Sequence, residues 1–128
     1  MASNYWKAKP GPEEVARLRH AVAEYAARNG MPVEQVQDVA LAVSEVVTNA
    51  VVHAFPDSDD GSITVMATVN GEEVTVRVVD DGAGLNPRPD SPGAGLGLSI
   101  AGRLAQRMVV EHPPRGGTEV RMSFALAG

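Results

Sequence analysis

The sequence contains no cysteine among its 128 residues, and only 4% of them are aromatic. Disulfides, cysteine-based zinc sites and thiol nucleophiles are therefore excluded. No apolar run approaches the roughly 20 residues that a membrane-spanning helix needs. The first residues, MASNYWKAKPGP, lack the basic stretch and apolar core of a secretory signal. These absences predict a cytoplasmic protein with no membrane partner.

Positive charge is scarce as well, because 11 lysines and arginines face 16 aspartates and glutamates, for a net charge of −5. The basic residues are scattered along the chain rather than clustered, which argues against direct binding of nucleic acid or of an anionic membrane. An apolar share of 44% and a charged share of 21% are typical of globular proteins. We therefore expect one domain over residues 1–128, with its core at about 12–126.

Hydrophobic periodicity predicts the element order β-α-α-β-β-α-β-β. An extended lead-in at 4–9 precedes a helix that starts at Pro12, with Gly30 at its C-terminal cap. A second helix is predicted from near Pro32 to Phe55, where the next proline stops it.

Alternating apolar and polar residues at 63–69 and 74–79 predict a hairpin with a two-residue Asn70-Gly71 turn. A third helix is predicted from about Leu96 to Arg107, and the final strands at 109–111 and 118–126. This order favours an α+β two-layer sandwich, with helices covering one face of a mostly antiparallel sheet.

A polar row interrupts the otherwise apolar second helix. Leu41, Glu45, Asn49 and His53 recur at a spacing of four and share one helical face. A glutamate there can act as a general base, and an asparagine amide oxygen can complete the coordination of Mg²⁺. The alternative is a polar face whose hydrogen bonds are satisfied by glycine-rich loops. His53 is more consistent with a supporting or packing role.

The first glycine-rich stretch, DDGAGL at 80–85, follows a predicted strand. The carboxylate of Asp80 is placed to accept a hydrogen bond from an exocyclic amine such as adenine N6. Gly82 and Gly84 would let the backbone approach a ring closely. An ordinary acidic turn after a strand is the competing interpretation.

The second stretch, GAGLGL at 93–98, precedes the third predicted helix, so its backbone N–H groups can face phosphates. It fits neither the dinucleotide fingerprint nor the Walker A loop, because glycine or lysine is missing at the required positions. Taken alone, a flexible hinge explains it as well.

Taken together, the order and spacing of these stretches resemble the gyrase, histidine-kinase and MutL class of ATPases. EVVTNAVVH at 45–53 is similar to its N box, DDGAG at 80–84 to its G1 box, GAGLGL at 93–98 to its G2 box, and GGTEV at 116–120 to the motif on its closing strand. The short length of the chain and the SEVVTNA stretch at 44–50 resemble one branch in particular, the bacterial anti-sigma-factor serine/threonine kinases.

This resemblance implies a Bergerat-type fold that binds ATP and Mg²⁺. It implies that Asn49 ligates Mg²⁺, that Glu45 activates the substrate serine and that Asp80 holds the adenine amine. The remaining implied ATP-binding residues are Gly82 and Gly84 beside the adenine, Gly95, Leu96 and Gly97 at the start of the helix beneath the phosphates, and Thr118, which supports the adenine contact.

For function, the resemblance implies a kinase that phosphorylates a serine of an anti-anti-sigma antagonist, sequesters a sigma factor and forms a homodimer. One position departs from the branch. Pro92-Gly93 stand where these kinases commonly carry a basic residue before the G2 box, and the nearest cation in that segment is Arg88. Phosphotransfer needs such charge more than nucleotide binding does.

Three alternatives stay open on the sequence. A binding module would use ATP only as a conformational ligand, but Glu45 weighs against it, because binding requires no base. A switch kinase that activates a phosphatase would carry the same motifs. The catalytic module of a sensor histidine kinase is disfavoured, because His20 is followed by Ala21-Val22 and no dimerisation hairpin precedes the domain.

Overall fold

A computed structural model of the chain describes residues 2–54, 61–81, 96–114 and 116–126. Within these ranges the elements follow the predicted order. They are β1 (Ala2–Ala8), α1 (Pro12–Arg28), α2 (Val33–Asn49), a π-helix (Ala50–Ala54), β2 (Ile63–Asn70), β3 (Glu73–Asp80), α3 (Leu96–Leu104), β4 (Arg107–Glu111) and β5 (Thr118–Ala125).

The five strands form one sheet in the order β1-β2-β3-β5-β4, and every neighbouring pair is antiparallel. Burial alternates along β3, where Val74, Val76 and Val78 are buried and the residues between them are half-buried. Such alternation is typical of a sheet with one face on the core. The helices cover that face, with α2 packed between α1 and α3. The predicted α+β two-layer sandwich is confirmed.

The core between the two layers is built almost entirely from aliphatic side chains. Leu18 and Val22 of α1 and Val39 and Val43 of α2 have no exposed surface. Each such side chain contributes about 1.5–3 kcal/mol when it is removed from water. The strands add a second set of fully buried side chains: Ile63, Val65, Val74, Val76 and Met122.

Two predicted boundaries on the helices are wrong. The second helix keeps α geometry only to Asn49 and continues as the π-helix Ala50–Ala54, while Phe55 lies outside the described residues. The third helix ends at Leu104 rather than near Arg107. The N–H of Gln106 donates to the carbonyl of Ser123 at 2.8 Å, so the chain has already joined the sheet there. Pairing with β5 therefore overrides the helical pattern.

Of two predictions on the strands, one is confirmed with shifted bounds and one is wrong. The extended lead-in proves to be β1, a full edge strand that pairs with β2 over Ala2–Ala8. The hairpin turn is Gly71-Glu72 rather than Asn70-Gly71, because Asn70 pairs with Glu73 in the ladder. Gly71 has a φ of 64°, which suits the first central position of a tight hairpin turn.

Among the residues that the structure describes, no helix combines the length and the apolar character needed to cross a membrane.

Candidate nucleotide-binding site

Asp80 and Thr118 lie side by side at one end of the sheet. Asp80 is the last residue of β3, Thr118 is the first residue of β5, and the two are register partners. Asp80 is 4% exposed and Thr118 2% exposed. Asp80 continues the buried series of Val74, Val76 and Val78, so its carboxylate lies on the helix-covered face. A carboxylate and a hydroxyl are thus held together inside the domain.

The backbone closes tightly around Asp80 because of Gly117. This glycine has a φ of 85°, and a Cβ added to it would lie 2.1 Å from the backbone oxygen of Asp80. No other residue type fits such an approach without moving the chain. The turn into β5 therefore packs directly against the end of β3. The Gly116-Gly117 pair in the sequence indicates a tight turn, but it does not indicate that the turn contacts Asp80.

Asp81 has a different role from its neighbour. Its carboxylate accepts hydrogen bonds from the N–H of Ser62 at 2.7 Å and from the Ser62 hydroxyl at 3.0 Å. Its own N–H donates to the carbonyl of Ser62 at 3.3 Å. These bonds fasten the end of β3 to the residue just before β2. Sequence analysis did not identify this contact, because the two residues are 19 positions apart.

The polar row of α2 reaches the end of that helix. Asn49 is its last residue and is 6% exposed, and Glu45, one turn earlier, is half-buried. The π-helix starts at the next residue, Ala50, and includes His53. π-helical turns are rare and concentrate at functional sites. The Asn49 amide is thus buried and the Glu45 carboxylate is partly accessible, and the two lie one turn apart on one face of the helix.

The end of α2 lies at the same edge of the domain as Asp80 and Thr118. The first turns of α2 meet the far end of β5, since Gln35, Asp38, Phe124 and Ala125 line one groove. The 17 residues of α2 extend over about 24 Å. The eight residues of β5 extend over about the same distance, and from these matching lengths we infer that Asn49 reaches the level of Thr118.

Other predicted site residues are placed only in part. Gly82, Gly84 and Gly95, like Arg88 and Pro92-Gly93, lie outside the described residues. Leu96 and Gly97 are the first two residues of α3, which packs beside α2. Within the described ranges, no three histidine or acidic side chains are grouped as a metal site.

Comparison with known proteins shows which family the chain resembles. A family model described as a histidine kinase-like ATPase domain matches residues 8–124. The anti-sigma F factor of Clostridium acetobutylicum is 32% identical over 132 residues, covering 93% of this chain and 90% of that protein. The anti-sigma F factor of Thermoanaerobacter pseudethanolicus is 32% identical over 116 residues, covering 82% of this chain and 80% of that protein.

Solved structures show the same fold. The catalytic domain of the histidine kinase ThkA superimposes with a TM-score of 0.60 at 14% identity, covering 96% of this chain and 97% of that domain. At that identity the likeness concerns the fold alone. The family model and the relatives carry the assignment further: the chain belongs to the histidine kinase-like ATPase domain family, together with the anti-sigma F factors.

Proposed function

We propose that this protein is an ATP- and Mg²⁺-dependent protein serine kinase that acts as an anti-sigma regulator. The proposal rests on one arrangement in particular. A buried Asp80 beside Thr118 lies at the same edge as Asn49, with the half-buried Glu45 one turn away. Adenine recognition, metal binding and proton transfer each have a side chain of suitable chemistry at that edge.

Asp80 and Thr118 would form the adenine end of the site. The Asp80 carboxylate is a hydrogen-bond acceptor of the kind that an adenine amine pairs with. Thr118 carries a hydroxyl that can donate as well as accept, so it would support the contact between adenine and Asp80. Gly117 keeps this wall thin by bringing β5 against the backbone of Asp80. Gly82 and Gly84 are expected to complete the wall.

Asn49 and the start of α3 would form the phosphate end. The Asn49 amide oxygen is a hard ligand suited to Mg²⁺ already held by phosphates. Leu96 and Gly97, together with Gly95, would offer backbone N–H groups at the helix N-terminus. When bound, ATP supplies the transferable phosphoryl group and Mg²⁺ offsets part of its negative charge.

Glu45 would be the general base. Its carboxylate would accept the proton of a substrate serine hydroxyl as the serine oxygen bonds to the γ-phosphorus and the bond to the β-phosphate oxygen breaks. ADP and the phosphoserine protein are the products. The partial exposure of Glu45 fits this role, because the serine arrives on another protein.

The names of the relatives extend the proposal to partners. Because the anti-sigma F factors match most of this chain, we infer that it binds a sigma factor. By the same resemblance, the phosphorylated serine belongs to an anti-anti-sigma protein, and the active form is a homodimer.

ATP binding is tested by calorimetry with Mg²⁺ on wild type and Asn49→Ala. We expect Mg²⁺-dependent binding by wild type that weakens at least about tenfold in Asn49→Ala, the usual worth of a lost charged-group contact. Equal ATP affinities for the two proteins would exclude Asn49 as a ligand of Mg²⁺. If wild type does not bind ATP at millimolar concentration, the protein acts as an interaction module that uses no nucleotide.

Glu45→Ala tests catalysis. The variant should bind ATP normally yet transfer phosphate to purified anti-anti-sigma proteins about 10²–10⁴-fold more slowly, because a general base contributes that factor. The measurement is transfer from γ-labelled ATP under single-turnover conditions. Gln37→Ala, at an exposed position of the same helix, is the control for ATP binding and folding. Unchanged transfer in Glu45→Ala would exclude it as the base.

A further inference from the structure

A surface groove lies at the end of the domain opposite Asp80. It has a volume of about 320 Å³ and is bounded by the first turns of α2, the end of α3 and the end of β5. Buried Phe124 and Ala105 form its apolar floor, and exposed polar side chains form its rim. We call it the α2/α3 groove; its lining residues are Gln35, Asp38, Arg103, Leu104, Ala105, Gln106, Phe124 and Ala125.

The rim of the groove carries two opposite charges that are available to a partner. Asp38 and Arg103 are both exposed, and neither makes a hydrogen bond or ion pair with another residue that the structure describes. Most of the other described arginines pair with a glutamate, as Arg28 and Arg107 do, but the exposed Arg19 is unpaired like Arg103. A carboxylate and a guanidinium over an apolar floor complement a segment with one cationic, one anionic and one apolar side chain.

A continuous strip connects the groove to the proposed base. Asp38, Leu41 and Glu45 follow one another at spacings of three and four along the same face of α2. Leu41 is 47% exposed. On α3, which ends beside the first turns of α2, Ile100 is 40% exposed one turn before Leu104. The seam between the two helices therefore presents apolar surface between the groove and Glu45.

We propose that the α2/α3 groove and this apolar strip dock the protein whose serine is phosphorylated. Asp38 and Glu45 are seven residues apart, which is about 10 Å along the helix. About three residues of extended chain span that distance. An acceptor can therefore anchor an apolar side chain in the groove, flanked by charges opposite to Asp38 and Arg103, and still place a serine at Glu45. This inference rests on the proposed kinase function.

The position of the strip favours the acceptor over a sigma factor as the occupant. An acceptor serine must reach the proposed base, and the strip leads there without crossing the opposite face of the sheet. A sigma factor has no need to contact Glu45. The groove thus serves as a specificity site remote from the reacting atoms, which lets binding energy position the hydroxyl.

The absence of cysteine makes the docking surface directly testable. A single thiol is introduced in the groove as Gln106→Cys and, as a matched control, on the outer sheet face as Val109→Cys, where the native side chain is 46% exposed. Each variant is alkylated with a bulky maleimide. The Kd for purified anti-anti-sigma proteins, the KM and kcat of transfer, and ATP affinity are then compared with those of wild type.

Alkylated Gln106→Cys should raise Kd and KM for the acceptor at least about tenfold, the effect of losing an interface hot spot. Its kcat and ATP affinity should stay unchanged, and alkylated Val109→Cys should match wild type in every measurement. Arg103→Glu should raise the same Kd without any label, and the effect should shrink at high salt.

Unchanged acceptor Kd and KM in both groove variants would overturn the docking proposal. Loss of sigma-factor binding with intact acceptor binding would overturn it as well. A wild-type chain that binds no anti-anti-sigma protein would also refute it. If wild type binds the acceptor but transfers no phosphate, the kinase function fails on its own, and the Kd comparison still decides whether the groove is the docking site.

Discussion

At the end of β3, successive side chains point to opposite faces of the sheet. Asp80 therefore lies in the helix-covered layer, 4% exposed, while Asp81 is exposed and bonded to Ser62. In the proposed site Asp80 would recognise the ligand, while Asp81 fixes the end of the strand. The alternation of side chains along β3 decides which of the two aspartates is buried.

Replacing these two aspartates separates their roles. Asp80→Asn should weaken ATP selectively, by about tenfold or more, because its amide N–H₂ would face the adenine amine, while GTP affinity changes little. Asp81→Asn should keep the preference for ATP, since it alters only the contact with Ser62. Competition binding with both nucleotides gives the ratio. An equal loss of ATP and GTP affinity in Asp80→Asn would remove Asp80 from the adenine contact.

Gly117→Ala should disturb the site and the fold together. The new Cβ would lie 2.1 Å from the Asp80 backbone oxygen, at a φ of 85°. We expect a loss of more than about 1–3 kcal/mol in the free energy of unfolding, the usual cost of a strained backbone alone. Gly116→Ala is the matched control, with a φ of 100° and nothing within 4 Å of the added Cβ. Equal losses in urea titrations of the two variants would contradict the clash.

At this scale the sequence identifies candidate residues, and the structure adds their burial and pairing. The motifs propose Asp80, Asn49 and Thr118 as site residues. The structure buries all three and makes Asp80 and Thr118 register partners, while their roles stay predictions. The contact of Gly117 with Asp80 could not be predicted. It depends on the pairing of residues 37 positions apart, which no local pattern encodes.

At the scale of elements, α2 does not end as its hydrophobic pattern suggests. The apolar residues continue at helical spacing, yet the backbone widens into the π-helix directly after Asn49. Sequence periodicity cannot distinguish the two geometries over five residues. The α3 boundary was missed for another reason, because sheet pairing by β4 competes with helix formation and prevails at Arg107.

A hydrogen bond from β2 to α1 helps to hold that helix on the sheet. The Tyr25 hydroxyl accepts a bond from the N–H of Val69 at 3.2 Å, and Tyr25 is 8% exposed. Tyr25→Phe should lower the free energy of unfolding by about 1 kcal/mol, because the half-buried N–H of Val69 loses its acceptor. Tyr5→Phe, at a side chain that is 72% exposed, should leave it unchanged. Urea unfolding of both variants measures the difference, and equal midpoints would show that the bond contributes nothing.

For the whole molecule, nucleotide binding should appear as increased stability. Mg²⁺ and ATP at 100 times Kd should stabilise the folded state by about 2.7 kcal/mol, because the unfolded chain does not bind. For 128 residues that amounts to a rise in Tm of about 10 °C. Asn49→Ala should lose most of the rise at the same ligand concentration. A thermal scan with Mg²⁺ alone, ATP alone and both together checks this, and an equal rise with ATP alone would exclude a role for the metal.

The contact between β1 and α1 gives the protein a built-in optical reporter. Trp6 is its only tryptophan, and its ring meets Tyr25 edge-on with centroids 6.1 Å apart. Trp6 lies on β1, two strands away from the strand that carries Asp80. Its fluorescence therefore reads the β1–α1 contact rather than the nucleotide. A spectral change on addition of ATP would then report movement transmitted through the sheet, in unlabelled protein and in real time.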